Sequence, residues 1–197
     1  MTSPFSNPGK TVVRPIRLAH VVLKTHPSQY KPMVTFYKTF LNATASYEND
    51  FLSFLTYDSE HHRVAIISIP DTTPHHPTSS GLLHFAFTFE NLTDLMLGYL
   101  QRKAAGIEPY WCVNHGPTTS MYYRDPDGNE IETQVDNFNT NEEANLFMIS
   151  KEFAENPIGT DFDPKELIRR IEKGEDEKSI KKRLEIGARK DVPGHNL

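Results

Sequence analysis

The chain writes the same order of elements twice. LAHVVL (18–23) alternates as a strand, and a helix follows with Pro32 in its first turn and Met33, Phe36, Tyr37 and Phe40 on one face. FLSFLTY (51–57) and HRVAIISI (62–69) are the next strand segments, and PDTTPHHPTSSG then reads as a loop. LLHFAFTF (82–89) restarts the series. Asn91 caps a helix whose Leu92, Leu95, Met96, Tyr99 and Leu100 share a face, and Gly106 ends it. EPYWCV, TSMYYR and NEIETQV supply three more short strands. The plan is β-α-β-β-β in two copies, over 16–70 and 82–136, with His20 and His84 at the same place in each, 64 residues apart.

Two such units set side by side give an α+β domain in which two curved sheets face one another across a cleft, with the helices outside. Alternation assigns the faces. Leu83, Phe85, Phe87 and Phe89 point to the helices, which leaves Leu82, His84, Ala86 and Thr88 on the cleft side. Ala19, Val21 and Leu23 pack on the first helix and turn His20 inward. The segment MYYRDPDGNEIE (121–132) sets a tight turn, Asp125-Pro126-Asp127-Gly128, ahead of another strand. That strand has Ile131, Thr133 and Val135 on one face and Glu130, Glu132 and Gln134 on the other. A calcium loop of the EF-hand kind would need further oxygen ligands at alternating positions, and Ile131 and Thr133 follow instead. Three metal-capable side chains, His20, His84 and Glu132, therefore converge on the cleft.

Outside the repeat, residues 1–15 carry three Pro and no periodic apolar pattern, and read as a loose arm. A helical C-terminal extension covers 137–197. Thr140 with Glu143 makes a capping box ahead of Ala144, Phe147 and Met148, and Asp163-Pro164-Lys165-Glu166 opens a second helix. Beyond about 175 the charges of KGEDEKSIKKRLE read as a solvated face. The apolar stripes Phe147, Met148 and Leu167, Ile168, Ile171 need a covering surface, and a homodimer is the expected state. A net charge of −5 gives no basic footprint for nucleic acid, and no apolar run is long enough to span a membrane. The start of the chain lacks the apolar stretch of a secretory signal, and lone Cys112 cannot build a disulfide framework, so a cytoplasmic protein is expected. Nine His beside one Cys favour iron, manganese or zinc over thiolate chemistry. His75 and His76 read as surface residues, and Trp111 and Cys112 as packing.

With these features in place, residues 16–136 resemble the vicinal oxygen chelate superfamily, which includes glyoxalase I, extradiol ring-cleavage dioxygenases, fosfomycin-resistance proteins and methylmalonyl-CoA epimerase. The extradiol signature runs from a His through an aliphatic-Tyr pair to an acid-Pro-x-Gly turn and a Glu. It is met by His115, Met121-Tyr122, Asp125-Pro126-Asp127-Gly128 and Glu132. The resemblance implies that His20, His84 and Glu132 form a two-His, one-carboxylate triad for Fe(II), with Mn(II) as the alternative, leaving positions open for an aromatic diol and O2. It also implies an acid-base His within Glu60-His61-His62-Arg63, taken as His62 with His61 as the fallback. His115 and Tyr122 would hold the substrate oxygens. The implied reaction is cleavage of a catechol-type ring beside its diol. NPIGTDFDP in the extension resembles single-domain bacterial relatives named after biphenyl-diol dioxygenase.

Rival readings of the same fold make different demands. A glyoxalase-type isomerase needs a fourth ligand in the last strand of the first copy, where Ala65 falls opposite Glu132, and a slip in register brings only Ile66 or Ile67. A fosfomycin-type transferase shares the three ligands but leaves His62, His115 and Tyr122 unexplained. A non-catalytic binding module would hold no metal.

Overall fold

In the computed structural model, residues 9–76 and 78–193 are described. Of the N-terminal arm, 9–15 are exposed and form neither helix nor strand, and 1–8 lie outside the described residues. The first unit comprises β1 (Val21–Thr25), α1 (Tyr30–Leu41), β2 (Thr44–Glu48), β3 (Leu52–Thr56) and β4 (Val64–Ser68). The second comprises β5 (His84–Thr88), α2 (Leu92–Ala104), β6 (Trp111–Asn114), β7 (Thr118–Arg124) and β8 (Glu130–Asp136). The sheets run β1-β4-β3-β2 and β5-β8-β7-β6, and each first strand lies parallel to the last strand of its unit. The extension adds α3 (Asn141–Met148), α4 (Lys151–Glu155), β9 (Thr160–Asp161), α5 (Pro164–Glu172) and α6 (Glu177–Ile180). β9 joins the edge of the second sheet beside β6.

Local chemistry accounts for the element ends. The Asn91 side chain accepts the Asp94 amide at 2.8 Å, Thr140 accepts the Glu143 amide, and Asp163 accepts the Lys165 amide. Asn42 closes α1 in the left-handed conformation (φ 51), which an Asn tolerates better than other side chains. β2 was not legible beforehand: all five of its residues are exposed, so no apolar alternation marks it, and its ladder to β3 alone makes it a strand. Ala19, Leu83 and Leu100, assigned to packed faces, stand open instead, as does Leu82, assigned to the cleft side; Ala19 and His20 precede β1. Leu82 and Leu83 precede β5 rather than belonging to it, and Leu100 lies on the outer side of α2.

One core serves both units. Met33, Tyr37 and Phe40 of α1 and Leu92, Leu95 and Tyr99 of α2 pack with Leu55 and Ile66 of the first sheet and with Phe85, Tyr123 and Ile131 of the second. α1 crosses between the units: Phe40 meets Tyr123 edge-on at 5.0 Å, and Tyr37 stacks near Phe85. The Tyr37 hydroxyl donates to buried Asp125 at 2.8 Å. Both sheets therefore spend their helix-facing sides on a common interior. Replacing Tyr37 with Phe leaves Asp125 its amide donors from Asp127 and Asn129 but removes the phenol. A loss of about 1–2 kcal/mol is expected, read as a lower urea midpoint at constant m-value.

Candidate active site

The second sheet carries one half of the site. Asp125 accepts the amides of Asp127 and Asn129 and the Asn129 side-chain nitrogen, and Gly128 takes φ 84, so the turn launches β8 in a fixed direction. β5 and β8 then pair with His84 opposite Glu130 and Ala86 opposite Glu132. In the first sheet Val22 stands opposite Ala65, so Ala65 holds the place that Glu132 holds in the second, and a fourth ligand is missing there.

Glu132 is buried and lies 3.1 Å from His84 Nε2. Burial works against its charge, but hydrogen bonds from His84 and Ser120 outweigh it and hold the carboxyl below the usual range. The same contact raises the pKa of His84. Tyr122 stands edge-on to His84, with ring centroids 5.3 Å apart. Its phenol lies 2.9 Å from His115 Nε2. His115 Nδ1 faces the Ile158 carbonyl, which can only accept, so Nδ1 carries the proton and Nε2 is free to accept from Tyr122. Burial lowers the pKa of His115 and raises that of Tyr122, the latter reinforced by the Glu132 charge. The pair therefore stays neutral.

The first sheet carries the other half. Leu55 points into the core, so its neighbour Phe54 lies on the opposite face, where the His62 ring stacks on it at 4.5 Å. His20 lies against His62, with centroids 4.2 Å apart, and His61 meets His62 through their Nδ1 atoms. His62 is buried, and burial followed by the nearby His20 and His61 lowers its pKa. His61 is exposed and leans toward Glu60. Arg63 fixes the approach to His20 by donating to the carbonyls of Leu18 and Ala19, while its own carbonyl accepts the Val21 amide.

His84 and Glu132 fit two neighbouring ligands of a divalent cation: a buried carboxylate and an imidazole with donor atoms 3.1 Å apart. His20 does not stand with them. Among the described residues, no three His, Cys, Asp or Glu side chains gather to hold an ion. Within one chain the set is therefore incomplete. A cavity of ~850 Å³ lies elsewhere, between Val22, Lys24, the loop bearing His75 and His76, and Asp127.

The extension does more than the sequence disclosed. Trp111, Val113 and Tyr122 form a second apolar cluster on the site side of the sheet, covered by Ile158 and Val192. The Trp111 indole donates to Asp161, which Arg189 also engages. Arg183, taken with the solvated tail, is instead buried and donates to the carbonyls of His115, Asn156 and Glu152. Nothing local distinguishes it from Lys181 and Lys182. Cys112 is inert as expected, its thiol pushed up to about 12 by burial.

The family model for the Glyoxalase/Bleomycin resistance protein/Dioxygenase superfamily matches residues 17–133. "Biphenyl-2,3-diol 1,2-dioxygenase 2" of Rhodococcus globerulus is 46% identical over 75% of this chain and 77% of its own length. "Biphenyl-2,3-diol 1,2-dioxygenase 3" of the same organism is 45% identical over 83% and 86%. Among solved structures, a glyoxylase/bleomycin resistance protein/dioxygenase domain from Frankia sp. EAN1pec superposes with TM-score 0.52 at 18% identity, covering 62% of this chain and 99% of its own. A glyoxalase/dioxygenase from Nostoc punctiforme gives 0.50 at 18%, covering 65% and 98%. These two likenesses bear on the fold alone. The matched span, the doubled β-α-β-β-β plan and the two curated relatives agree: the chain belongs to the Glyoxalase/Bleomycin resistance protein/Dioxygenase superfamily.

Proposed function

We propose that this protein is a cytoplasmic extradiol ring-cleavage dioxygenase that opens a catechol-type ring with O2. The observation that carries the reading is His84–Glu132 beside the neutral Tyr122–His115 pair, in a chain 45–46% identical to proteins named as diol dioxygenases. The cofactor it calls for is Fe(II), with Mn(II) the alternative; His84 and Glu132 would hold it, and His20, the third ligand that the resemblance implies, is not brought to them within this chain. Such an ion supplies charge that favours the ionised diol.

The chain's own groups serve the organic part of the reaction. Tyr122 keeps its proton against the Glu132 charge. His115 holds that phenol in place by accepting its one hydrogen, and turning that hydrogen to a substrate oxygen that gains negative charge would exchange the one bond for the other. His62 has a lowered pKa and is neutral near pH 7, which suits it to take a proton from the diol and return it as the ring opens. Stacking on Phe54 fixes its ring. His61, exposed and beside Glu60, is the less suited of the two.

An oxygen electrode tests the reading. Iron-loaded protein over a panel of mono- and bicyclic catechols should draw O2 and yield a ring-opened product that absorbs visible light. If no catechol draws oxygen while a thiohemiacetal or an epoxide is turned over, the isomerase or transferase chemistry of the superfamily takes its place. A protein that holds no metal would be a binding module. His62→Phe should lower kcat by about 10²- to 10⁴-fold with little change in KM, as loss of a proton-transfer group does.

A further inference from the structure

We propose that a second binding site, on the side of β5 opposite to His84, takes a small carboxylate with an aromatic body, held by Arg102. The site is a cavity of ~270 Å³ at the seam of the two units, lined by Phe40 and Asn42 at the end of α1, Tyr57 after β3, Phe87 of β5, and Gly98 and Arg102 of α2. It is separate from the candidate active site. Phe87 shares the core-facing side of β5 with Phe85, whereas His84 turns to the other side and meets Glu132.

Arg102 is 4% exposed, and its guanidinium carbon lies 4.6 Å from the centre of the Phe40 ring, 5.1 Å from that of Phe89 and 5.5 Å from that of Tyr123. Its Nε donates to the Phe40 carbonyl at 3.0 Å, which satisfies one of the carbonyls left open at the end of α1. Nη1 is buried and has no partner among the described residues. Burial lowers the pKa of the group and Tyr123 supports its charge, but no carboxylate is among the groups that act on it. An unpaired buried cation is costly, and a Leu would pack among the same rings without that cost. A bound carboxylate supplies the missing charge. The helix leaves room for it: a Cβ on Gly98, one turn before Arg102, would lie 3.2 Å from Nη1 and 3.3 Å from Nη2, so the absent side chain opens a spot that faces both nitrogens. The rest of the cavity suits a flat ring. Tyr57 and Phe87 meet edge-on at 5.8 Å along its wall, and no Asp or Glu is among its described lining residues. A void of about 150 Å³ already accepts benzene, so this one has space for a ring and its carboxylate.

Benzoate, one ring with one carboxylate, is the probe, and the full-length protein stripped of metal is the host, so the result does not depend on the ring-cleavage reading. In an NMR titration at constant ionic strength, benzoate should shift the Gly98 amide and the Arg102 Nε–H saturably, with a Kd of about 1 mM or below. The indole of Trp111, in the other apolar cluster, should stay unshifted. Benzamide, the neutral isostere, should bind about tenfold or more weakly, because it cannot form a charge-assisted pair with Arg102. Acetate, which has the charge without the ring, should be weaker than benzoate as well. Arg102→Gln should bring benzoate down to the level of benzamide. Gly98→Ala keeps the charge but fills the spot between the two nitrogens, and Ala is the better helix former, so this variant decides the case in which loss of Arg102 costs the fold. Its affinity for benzoate should fall by a similar factor. The proposal is overturned if benzoate leaves Gly98 and Arg102 unshifted, if either control binds as well as benzoate, or if Gly98→Ala binds benzoate like the wild type.

Discussion

Glu132→Ala is expected to abolish both metal binding and ring-opening activity while leaving the fold intact. The carboxylate is buried at the centre of the second half-site, and it is the acidic member of the proposed set. Substituting groups that merely orient a metal ligand costs about 10- to 100-fold in affinity, so removing a ligand itself should cost more than that. The fold has little at stake, because the substitution removes an ionised group whose main partner, His84, can turn to solvent as a neutral imidazole. Far-UV circular dichroism should match the wild type, and iron per chain by elemental analysis should fall to background. Retained stoichiometric iron would put the ligands elsewhere on the chain.

Gly159→Ala should be the most damaging small change in the extension. Gly159 adopts φ 109, outside the range of most side chains, and an added Cβ would lie 2.3 Å from the Asn114 carbonyl oxygen and 2.8 Å from His115 Cα. Those are backbone atoms of the β6 edge and the loop after it, so they cannot swing aside. Backbone strain alone costs about 1–3 kcal/mol, and the contact adds to it. At roughly 2–4 °C per kcal/mol for a chain of this size, Tm should fall by about 5–10 °C. Gly128 supplies the control. Its φ is 84, but nothing lies within 4 Å of the site of its Cβ, so Gly128→Ala meets strain without collision. A Gly159→Ala loss no larger than that of Gly128→Ala would show that β9 is not held tightly against β6. The damage should also reach catalysis, because Ile158, next in the chain, supplies the carbonyl that orients His115.

The repeat was readable because each strand and helix carries its own periodicity, and the Asp125-Pro126-Asp127-Gly128 turn because its chemistry is local. The outcome at Glu132 follows from both: a strand that must bury Ile131 and Val135 has to turn its acidic residues the other way. His115 and Tyr122 were named on resemblance as groups that hold substrate oxygens; that they hydrogen-bond to each other is the structure's addition. Alternation, however, fixes a side chain only relative to its own sheet. How two sheets sit against each other is decided by packing among residues such as Phe40, Phe85 and Tyr123, which are equally apolar on any partner. That is why the faces of His20 and His84 could be read separately while their distance could not. Arg183 escaped for a related reason: its partners are carbonyls 27 to 68 residues away, and a carbonyl has no sequence signature.

The carbonyl of Ile158 decides which nitrogen of His115 bears hydrogen, and the two residues are 43 positions apart. During synthesis the doubled unit leaves the ribosome before 156–193, and domains generally fold in that order. The nascent chain can therefore hold the eight strands of the doubled unit and every candidate ligand, with Leu167 and Ile180 still to join the core, while His115 still exchanges between its two neutral forms. Docking of the later segment is then a maturation step. It ends that exchange and leaves Tyr122 a single partner, so the chain becomes chemically competent after it has become compact.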